Sequence, residues 1–117
     1  MATRIIPISP PGPYVAESAT PQLATVTPVA ADASDGNVVS LARTILLRAE
    51  NTGGSPRTIT IKSQPDPFGR VADIEAFSIA AGARVVRRFS SVGWANNGGD
   101  LEIEASNADV RLEVYQL

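Results

Sequence analysis

The sequence predicts an all-β protein: a single β-sandwich of jelly-roll or Ig-like type with an extended, proline-rich arm at its N-terminus. Three observations predict this class. Short runs alternate between apolar and polar residues with a period of two, which is the period of a strand with one buried face. Turn-forming asparagine, glycine and proline residues separate the runs at intervals of about ten residues. No window keeps the spacing of an amphipathic helix together with capping residues.

The first 40 residues differ in composition from the rest of the chain. They contain six of the nine prolines but only four charged side chains. Proline fixes φ and lacks a backbone donor, which excludes a helix or a central strand over most of this segment. Its apolar side chains are nevertheless expected to be buried against a protein surface and away from water. They include Ile5, Ile6, Ile8, Tyr14 and Val15. We therefore expect residues 1–40 to form an extended arm, which can add edge strands, on its own domain or on a neighbouring subunit. The alternative is simple terminal disorder.

The remaining residues, 41–117, are expected to form the sandwich domain. Residues 44–50 are apolar on both faces at their centre, and residues 57–62 alternate with Ile59 and Ile61 on one face. The NTGGSP segment between the two runs is a strong turn signal. We interpret the two runs as a hairpin.

The middle of the domain has a less regular pattern. Residues 63–70 contain two prolines and a glycine and are predicted to form a loop. Residues 71–79 form one strand or two short ones, and residues 83–89 form another after an AAG turn. Both faces of that last run mix arginine with apolar residues, so periodicity does not assign its inner face.

The C-terminal part contains a second loop and a second pair of runs. Residues 90–100 form the loop and include the only tryptophan, Trp94. Residues 101–105 and 110–117 alternate around a turn at 106–109, and we interpret them as a second hairpin. With one or two strands from the arm, the count is about seven or eight, which is typical of a sandwich.

Composition argues against several classes of partner. The length of 117 residues suits one domain, and the net charge of −2 offers no basic surplus for a phosphate backbone. No stretch approaches the roughly 20 apolar residues of a membrane helix, and residues 1–13 lack the apolar run of a signal peptide. We expect no nucleic acid, no membrane, and synthesis in the cytoplasm.

The residues of the common active sites are scarce. The chain has no cysteine and no histidine, which removes disulfides, thiolate chemistry and the side chain best suited to acid–base catalysis near neutral pH. The carboxylates of Glu102 and Glu104 fit a solvated strand face rather than a catalytic pair. Residues 32–37 (DASDGN) fit a turn held by side-chain oxygens better than a calcium loop. We predict no enzyme, no cofactor and no metal.

Two features of the domain are candidates for partner binding. Trp94 is either an anchor for a partner, since tryptophan is enriched at binding hot spots, or a cap on the open end of the sandwich. Arg84, Arg87 and Arg88 cluster on one strand, where they meet an acidic surface of a partner or are neutralised within the fold by the acidic residues of 73–75. Together with the apolar residues of the arm, these are the predicted partner-binding residues.

Three parts of the sequence carry a resemblance to a known family: residues 47–61 (LRAENTGGSPRTITI), residues 78–82 (SIAAG) and the strand pair that ends at the C-terminus. From residue 45 to residue 117 the chain resembles small β-sandwich virion proteins encoded among the head genes of tailed bacteriophages, the capsid decoration or cement proteins. The resemblance implies a virion protein that is made in the host cytoplasm and binds the major capsid protein, or another virion protein, on the outside of the head. Many such proteins are trimers whose N-terminal arms reach across subunit boundaries.

The sequence therefore predicts a homotrimeric structural protein that cements neighbouring capsid subunits. Two alternatives use the same fold. One is a tail- or neck-associated Ig-like module, and the other is a carbohydrate-binding β-sandwich with Trp94 as its stacking platform. Loss of glycan binding in Trp94→Ala would favour the last, whereas weaker assembly after deletion of residues 1–20 would favour an anchoring arm.

Overall fold

The computed structural model describes residues 2–9, 25–65 and 68–117 and contains, within those ranges, nine strands and no helix. The all-β class that the periodicity predicts is confirmed. No helix in these ranges has the length and apolarity of a bilayer span. In chain order the strands are β1 (Thr3–Ile5), β2 (Val29–Ala30), β3 (Asn37–Ser40), β4 (Ile45–Asn51), β5 (Arg57–Lys62), β6 (Ile74–Ile79), β7 (Arg84–Phe89), β8 (Asp100–Ala105) and β9 (Val110–Gln116).

The strands form two sheets that face each other, the arrangement of a β-sandwich. Sheet A has five strands in the order β1-β3-β8-β5-β6, and sheet B has four in the order β2-β9-β4-β7. Neighbouring strands are antiparallel, except that β1 runs parallel to β3. Two outermost strands, β6 of sheet A and β7 of sheet B, follow one another in the chain and lie at the same side of the molecule.

One continuous core lies between the sheets, and the alternation of the sequence produces it. Successive side chains of a strand point to opposite faces, so every second residue faces inward. Each aliphatic side chain taken out of water in this way stabilises the fold by about 1.5–3 kcal/mol. The large fully buried aliphatic residues are Val39, Ile79, Leu101 and Ile103 of sheet A and Ile45, Val110, Leu112 and Val114 of sheet B.

The two predicted hairpins are wrong. β4 pairs with β7 and β9 in sheet B, whereas β5 pairs with β6 and β8 in sheet A. β8 and β9 likewise lie in opposite sheets. Each of these two connections passes from one sheet to the other. The sheets pack face to face about 10 Å apart, so the two consecutive strands bury their apolar faces against each other across the core. Periodicity specifies which residues face inward, but it does not distinguish a neighbour in the same sheet from a strand on the opposite side of the core.

The side chain of Asn51 stabilises the loop that connects β4 in sheet B to β5 in sheet A. This side chain is fully buried. Its Nδ2 donates to the carbonyl oxygens of Ser55, at 2.7 Å, and Ile79, at 2.9 Å, and its Oδ1 accepts from the backbone N of Gly53 at 3.0 Å. These contacts satisfy backbone groups at the ends of strands, where buried polar groups need a partner.

The predicted turn held by side-chain oxygens is confirmed. Oδ1 of Asp32 accepts from the backbone N of Ser34 at 3.1 Å and of Asp35 at 3.0 Å. The bond from Asp35, followed by one from the Thr3 hydroxyl, lowers the pKa of the Asp32 carboxyl. Among the residues in the described ranges, no group of three or more acidic, histidine or cysteine side chains is arranged to hold a metal.

Residues 2–9 lie along their own domain and join its two sheets. β1 extends sheet A and buries Ile5, whose side chain is 3% exposed. The chain then crosses to sheet B, where the backbone N of Ile8 donates to Val114 O at 2.8 Å and Gln116 N donates to Ile8 O at 2.7 Å. One short segment therefore closes this side of the sandwich.

The other described parts of residues 1–40 also contribute strands. β2 forms the edge of sheet B next to β9, and β3 lies inside sheet A between β1 and β8. Tyr14 and Val15 lie outside the described residues.

Candidate functional site: the open side of the sandwich

The two sides of the sandwich end differently. On one side the segment from Thr3 to Ser9 passes from sheet A to sheet B and covers the core. On the other side β6 and β7 are the edges of their sheets, and no strand of the described ranges lies outside either of them. A groove of about 310 Å³ opens between these two strands.

The groove is lined almost wholly by apolar side chains, and its floor is part of the core. Leu47 and Ile59, from opposite sheets, are only 3% and 2% exposed and lie at this floor. Its rim is far more accessible, since Phe77 is 50% and Val86 is 63% exposed. Apolar surface that continues from a core to solvent marks a binding site more often than surface scattered over a protein. The remaining lining residues are Ala49, Ile61, Ile74, Val85 and Arg87.

Among the residues that the structure describes, Arg87 is the one charged residue in the lining of the groove. It lies on the inner face of β7, because the register places it opposite Leu47 and places Phe89 opposite Ile45. The structure thereby assigns the inner face that periodicity left open. The Arg87 guanidinium lies over two aromatic rings, with its carbon 5.5 Å from the centroid of Phe89 and 5.3 Å from that of Trp94.

Arg84 and Arg88 lie on the outer face of β7, on either side of Val86. Arg84 Nη2 lies 3.0 Å from Oε2 of Glu50 on the neighbouring strand β4. Neither Arg87 nor Arg88 takes part in an ion pair between described residues. The strand therefore presents three cations, of which one is neutralised.

The acidic residues of 73–75 do not supply the carboxylates for these arginines. Asp73 accepts hydrogen bonds from the backbone N of Ser63 at 2.7 Å and from its hydroxyl at 2.9 Å. These two bonds favour the ionised form and lower the pKa of the Asp73 carboxyl. The partner of Arg84 is Glu50, so the neutralisation predicted within the fold operates at one arginine and with a different residue.

Trp94 packs at the margin of the core, next to the groove. Its ring meets that of Phe89 edge-on, with centroids 4.8 Å apart and an angle of 83° between the planes. The Trp94 loop is tied to the chain before it by a 2.7 Å hydrogen bond from Gln64 N to Gly93 O. Of the two sequence interpretations, a cap on the end of the sandwich or an anchor for a partner, this geometry favours the cap.

The apolar residues of the N-terminal segment lie on the opposite side of the molecule from β7. Ile5 belongs to the core and Ile8 is half-buried at its bridge to Tyr115, whereas Ile6 is 72% exposed. The structure therefore does not bring the described arm residues Ile5, Ile6 and Ile8 into one site with the predicted arginines.

Periodicity and composition do not predict the groove, although one feature of the sequence, the arginines of residues 84–88, indicates it. A strand whose inner face is covered by a neighbour rarely carries a charge on that face. Residues 84–88 carry arginine on both faces, and this pattern fits an edge strand with an open inner side.

Comparisons with models of protein families, with curated proteins and with solved structures found no match to this chain. The functional interpretation therefore depends on the geometry of the groove and on the residues around it.

Proposed function

We propose that the chain is a structural virion protein without enzymatic activity, a capsid decoration protein that binds the outer surface of a phage head through the open side of its sandwich. The observation that carries this proposal is the groove between the edge strands β6 and β7, where apolar surface continues from the buried core residues Leu47 and Ile59 to the exposed ring of Phe77. Such a surface is suited to another protein chain. The resemblance of the sequence to capsid decoration proteins implies the location, the outside of a phage head, and the expected partner, the major capsid protein or another virion protein.

The order of the strands supports the jelly roll as the finer fold class. Apart from β1, the strands form two four-stranded sheets, β2-β9-β4-β7 and β3-β8-β5-β6. Every connection among these eight strands changes sheet, except that between β5 and β6. Jelly rolls are built from eight strands in two sheets and are found in viral capsid proteins and in lectins. Because one fold serves many functions, the groove carries the functional argument.

The proposed mechanism is cementing by burial of apolar surface. Phe77 and Val86 are exposed at the rim, and burying each against a partner contributes about 1–2 kcal/mol at roughly 25 cal/mol per Å². Anchors of this kind, repeated in every copy on a capsid, raise the free energy needed to separate neighbouring subunits. Assembly of the decoration protein as a trimer, which the resemblance implies, multiplies the effect through effective concentration.

The test is to mix the purified chain with undecorated capsids and to image the particles by cryo-electron microscopy. We expect added density on the outer surface of the head. Val86→Asp should weaken binding, because it puts a charge on the rim of the groove. Val29→Asp places the same change on the edge strand of the opposite side and serves as the matched control.

Two results would overturn the proposal. One is the absence of density on capsids at saturating protein, and the other is density confined to the tail or neck, which would support the tail-module alternative. The carbohydrate alternative has less support, because Arg87 covers a face of the Trp94 ring and Phe89 contacts it. Binding to a glycan panel that is lost in Trp94→Ala would nevertheless favour it.

A further inference from the structure

No strand of the described residues pairs with the outer edge of β7, so at defined positions its backbone groups have no ladder partner among those residues. Asn51 N donates to Ala83 O at 3.0 Å, at the start of the ladder between β4 and β7. Because hydrogen-bonded pairs alternate along an antiparallel ladder, the backbone groups of Val85 and Arg87 point toward β4. Those of Arg84, Val86 and Arg88 point to the free side.

The edge of β6 is less suited to accept a strand. Its register against β5 shifts between Ile59 and Ile61, and Ala76 has a φ of 45°, a conformation that residues other than glycine adopt at an energetic cost. Irregular edges of this kind hinder strand addition. β7, in contrast, pairs with β4 without interruption over all six of its residues.

A strand added to β7 would cover the groove. Its inward side chains would lie over Phe77 and Ile74 of the opposite sheet, where the apolar rim is open. One inward side chain would lie beside Arg87. An added strand would therefore satisfy the backbone groups of β7 and bury the apolar lining at the same time, as in binding by β-augmentation.

A second copy of β7 is a poor candidate for this strand. Antiparallel pairing of two β7 strands about Val86 places Arg84 of each copy opposite Arg88 of the other. Like charges directly opposite each other destabilise a sheet, and an inward-pointing charge on an edge strand opposes pairing between identical copies. Glu50 neutralises only Arg84. The charge of this edge selects an acidic partner.

We propose that β7 binds an extended, acidic segment of a partner protein as an added strand of sheet B, with a carboxylate of that segment at Arg87. The inference rests on the proposed function, in which the partner is another virion protein, and it specifies the chemistry of the contact. Arg87 sets the preference for a carboxylate, and Arg84 and Arg88 extend it along the outer face. The apolar residues of the segment occupy the alternate inward positions over Phe77.

The test uses two synthetic peptides and the full chain labelled with ¹⁵N. Each peptide has about seven residues, the length of a typical strand, with threonine and valine alternating. In one peptide the central valine is replaced by glutamate, and in the other by lysine. We expect the glutamate peptide to shift the amide signals of Arg84, Val86 and Arg88 and to slow their hydrogen exchange. It should bind about tenfold more tightly than the lysine peptide, equivalent to about 1.4 kcal/mol.

Variants of Arg87 test the source of this preference. Arg87→Glu should reverse it, and Arg87→Gln, which adds no like charge, should abolish it. Arg43→Glu makes the same reversal at an exposed residue of the loop between β3 and β4, beside Pro7 of the N-terminal segment, and should leave the preference unchanged. Equal responses to the two peptides, shifts confined to another part of the protein, or no shift at millimolar peptide would each overturn the inference.

The inference and the proposed function fail in distinguishable ways. If capsids bind the wild type and Arg87→Glu equally, the proposed function stands and the role of Arg87 is refuted. If the peptides bind as described but capsids do not bind the chain, the site stands and the proposed function is refuted.

Discussion

The guanidinium carbon of Arg87 lies 5.3 Å from the centroid of the Trp94 ring, which places the only tryptophan of the chain beside the charged side chain that lines the groove. The same guanidinium lies 5.5 Å from the centroid of Phe89. A cation near a ring face is attracted by its quadrupole, and its aliphatic stem covers apolar surface. Arg87 therefore partly shields both rings from water, and the fluorescence of Trp94 reports on the groove.

Arg87→Ala should shift the emission of Trp94 to longer wavelength and lower the free energy of unfolding by about 0.5–1 kcal/mol, the usual size of an exposed cation–π contact. Fluorescence spectra and urea denaturation measure the two effects. Arg88→Ala removes the neighbouring arginine from the outer face and should leave the emission unchanged. Equal spectral shifts in the two variants would show that Arg87 does not cover the ring.

Asn51→Ala should destabilise the protein strongly, because it leaves the buried carbonyl of Ile79 without its side-chain donor and releases the turn that Gly53 and Ser55 form. Each buried group left unpaired costs about 1–3 kcal/mol, so we expect a loss of at least about 2 kcal/mol. Urea denaturation should show a lower midpoint with an unchanged slope. Asn97→Ala, in an exposed loop, should stay within about 0.5 kcal/mol of the wild type. A loss in Asn51→Ala no greater than in Asn97→Ala would contradict this role.

The contrast between β4 and β5 shows how far the sequence predicts this fold. The alternation of Ile59 and Ile61 identifies a strand and its inner face, and the structure agrees on both. Whether β5 lies beside β4 or across the core from it depends on contacts with β8 and β7, which are distant in sequence. Local periodicity carries no information about those contacts, so the predicted hairpin was wrong while the strands themselves were right.

The candidate site was partly predictable for a related reason. Arg84, Arg87 and Arg88 were identified from their clustering on one strand, but the groove depends on Phe77, which approaches β7 only after the two sheets assemble. For Asn51 the sequence predicts only a turn, because the hydrogen bond from its side chain to the carbonyl of Ile79 joins residues 28 positions apart. Features that join distant segments were the ones that periodicity and composition missed.

Ile5→Ala and Ile6→Ala should differ greatly in their effect on stability. Ile5 is 3% exposed and packs in the core from the edge of sheet A, whereas Ile6 is 72% exposed. Truncation of a buried isoleucine costs about 2–5 kcal/mol, and truncation of an exposed one costs little. Urea denaturation of the two variants measures the difference. Similar small losses would mean that residues 2–9 leave the domain in solution and do not close this side of the sandwich.

The carboxylate of Asp73 should make the stability of the protein depend on pH in the acid range. Hydrogen bonds from the backbone N and the hydroxyl of Ser63 lower the pKa of Asp73 in the folded state, whereas an unfolded aspartate has a pKa of about 3.9. A group whose pKa is lower in the folded state stabilises it above the unfolded value. That stabilisation is lost as the pH falls from about 4 through the folded pKa.

Asp73→Asn keeps an oxygen acceptor but removes the charge, so it should destabilise the protein at pH 7 and progressively less below pH of about 4. Urea denaturation of the variant and the wild type at a series of pH values measures this difference. Glu75→Gln removes an exposed carboxylate two residues away and should change stability little at pH 7. If the loss in Asp73→Asn stayed constant down to the lowest pH, the bonds from Ser63 would not depend on the charge of Asp73. The link between the loop after β5 and the start of β6 would then depend on the hydrogen bonds and packing of the side chain at position 73 and not on its charge.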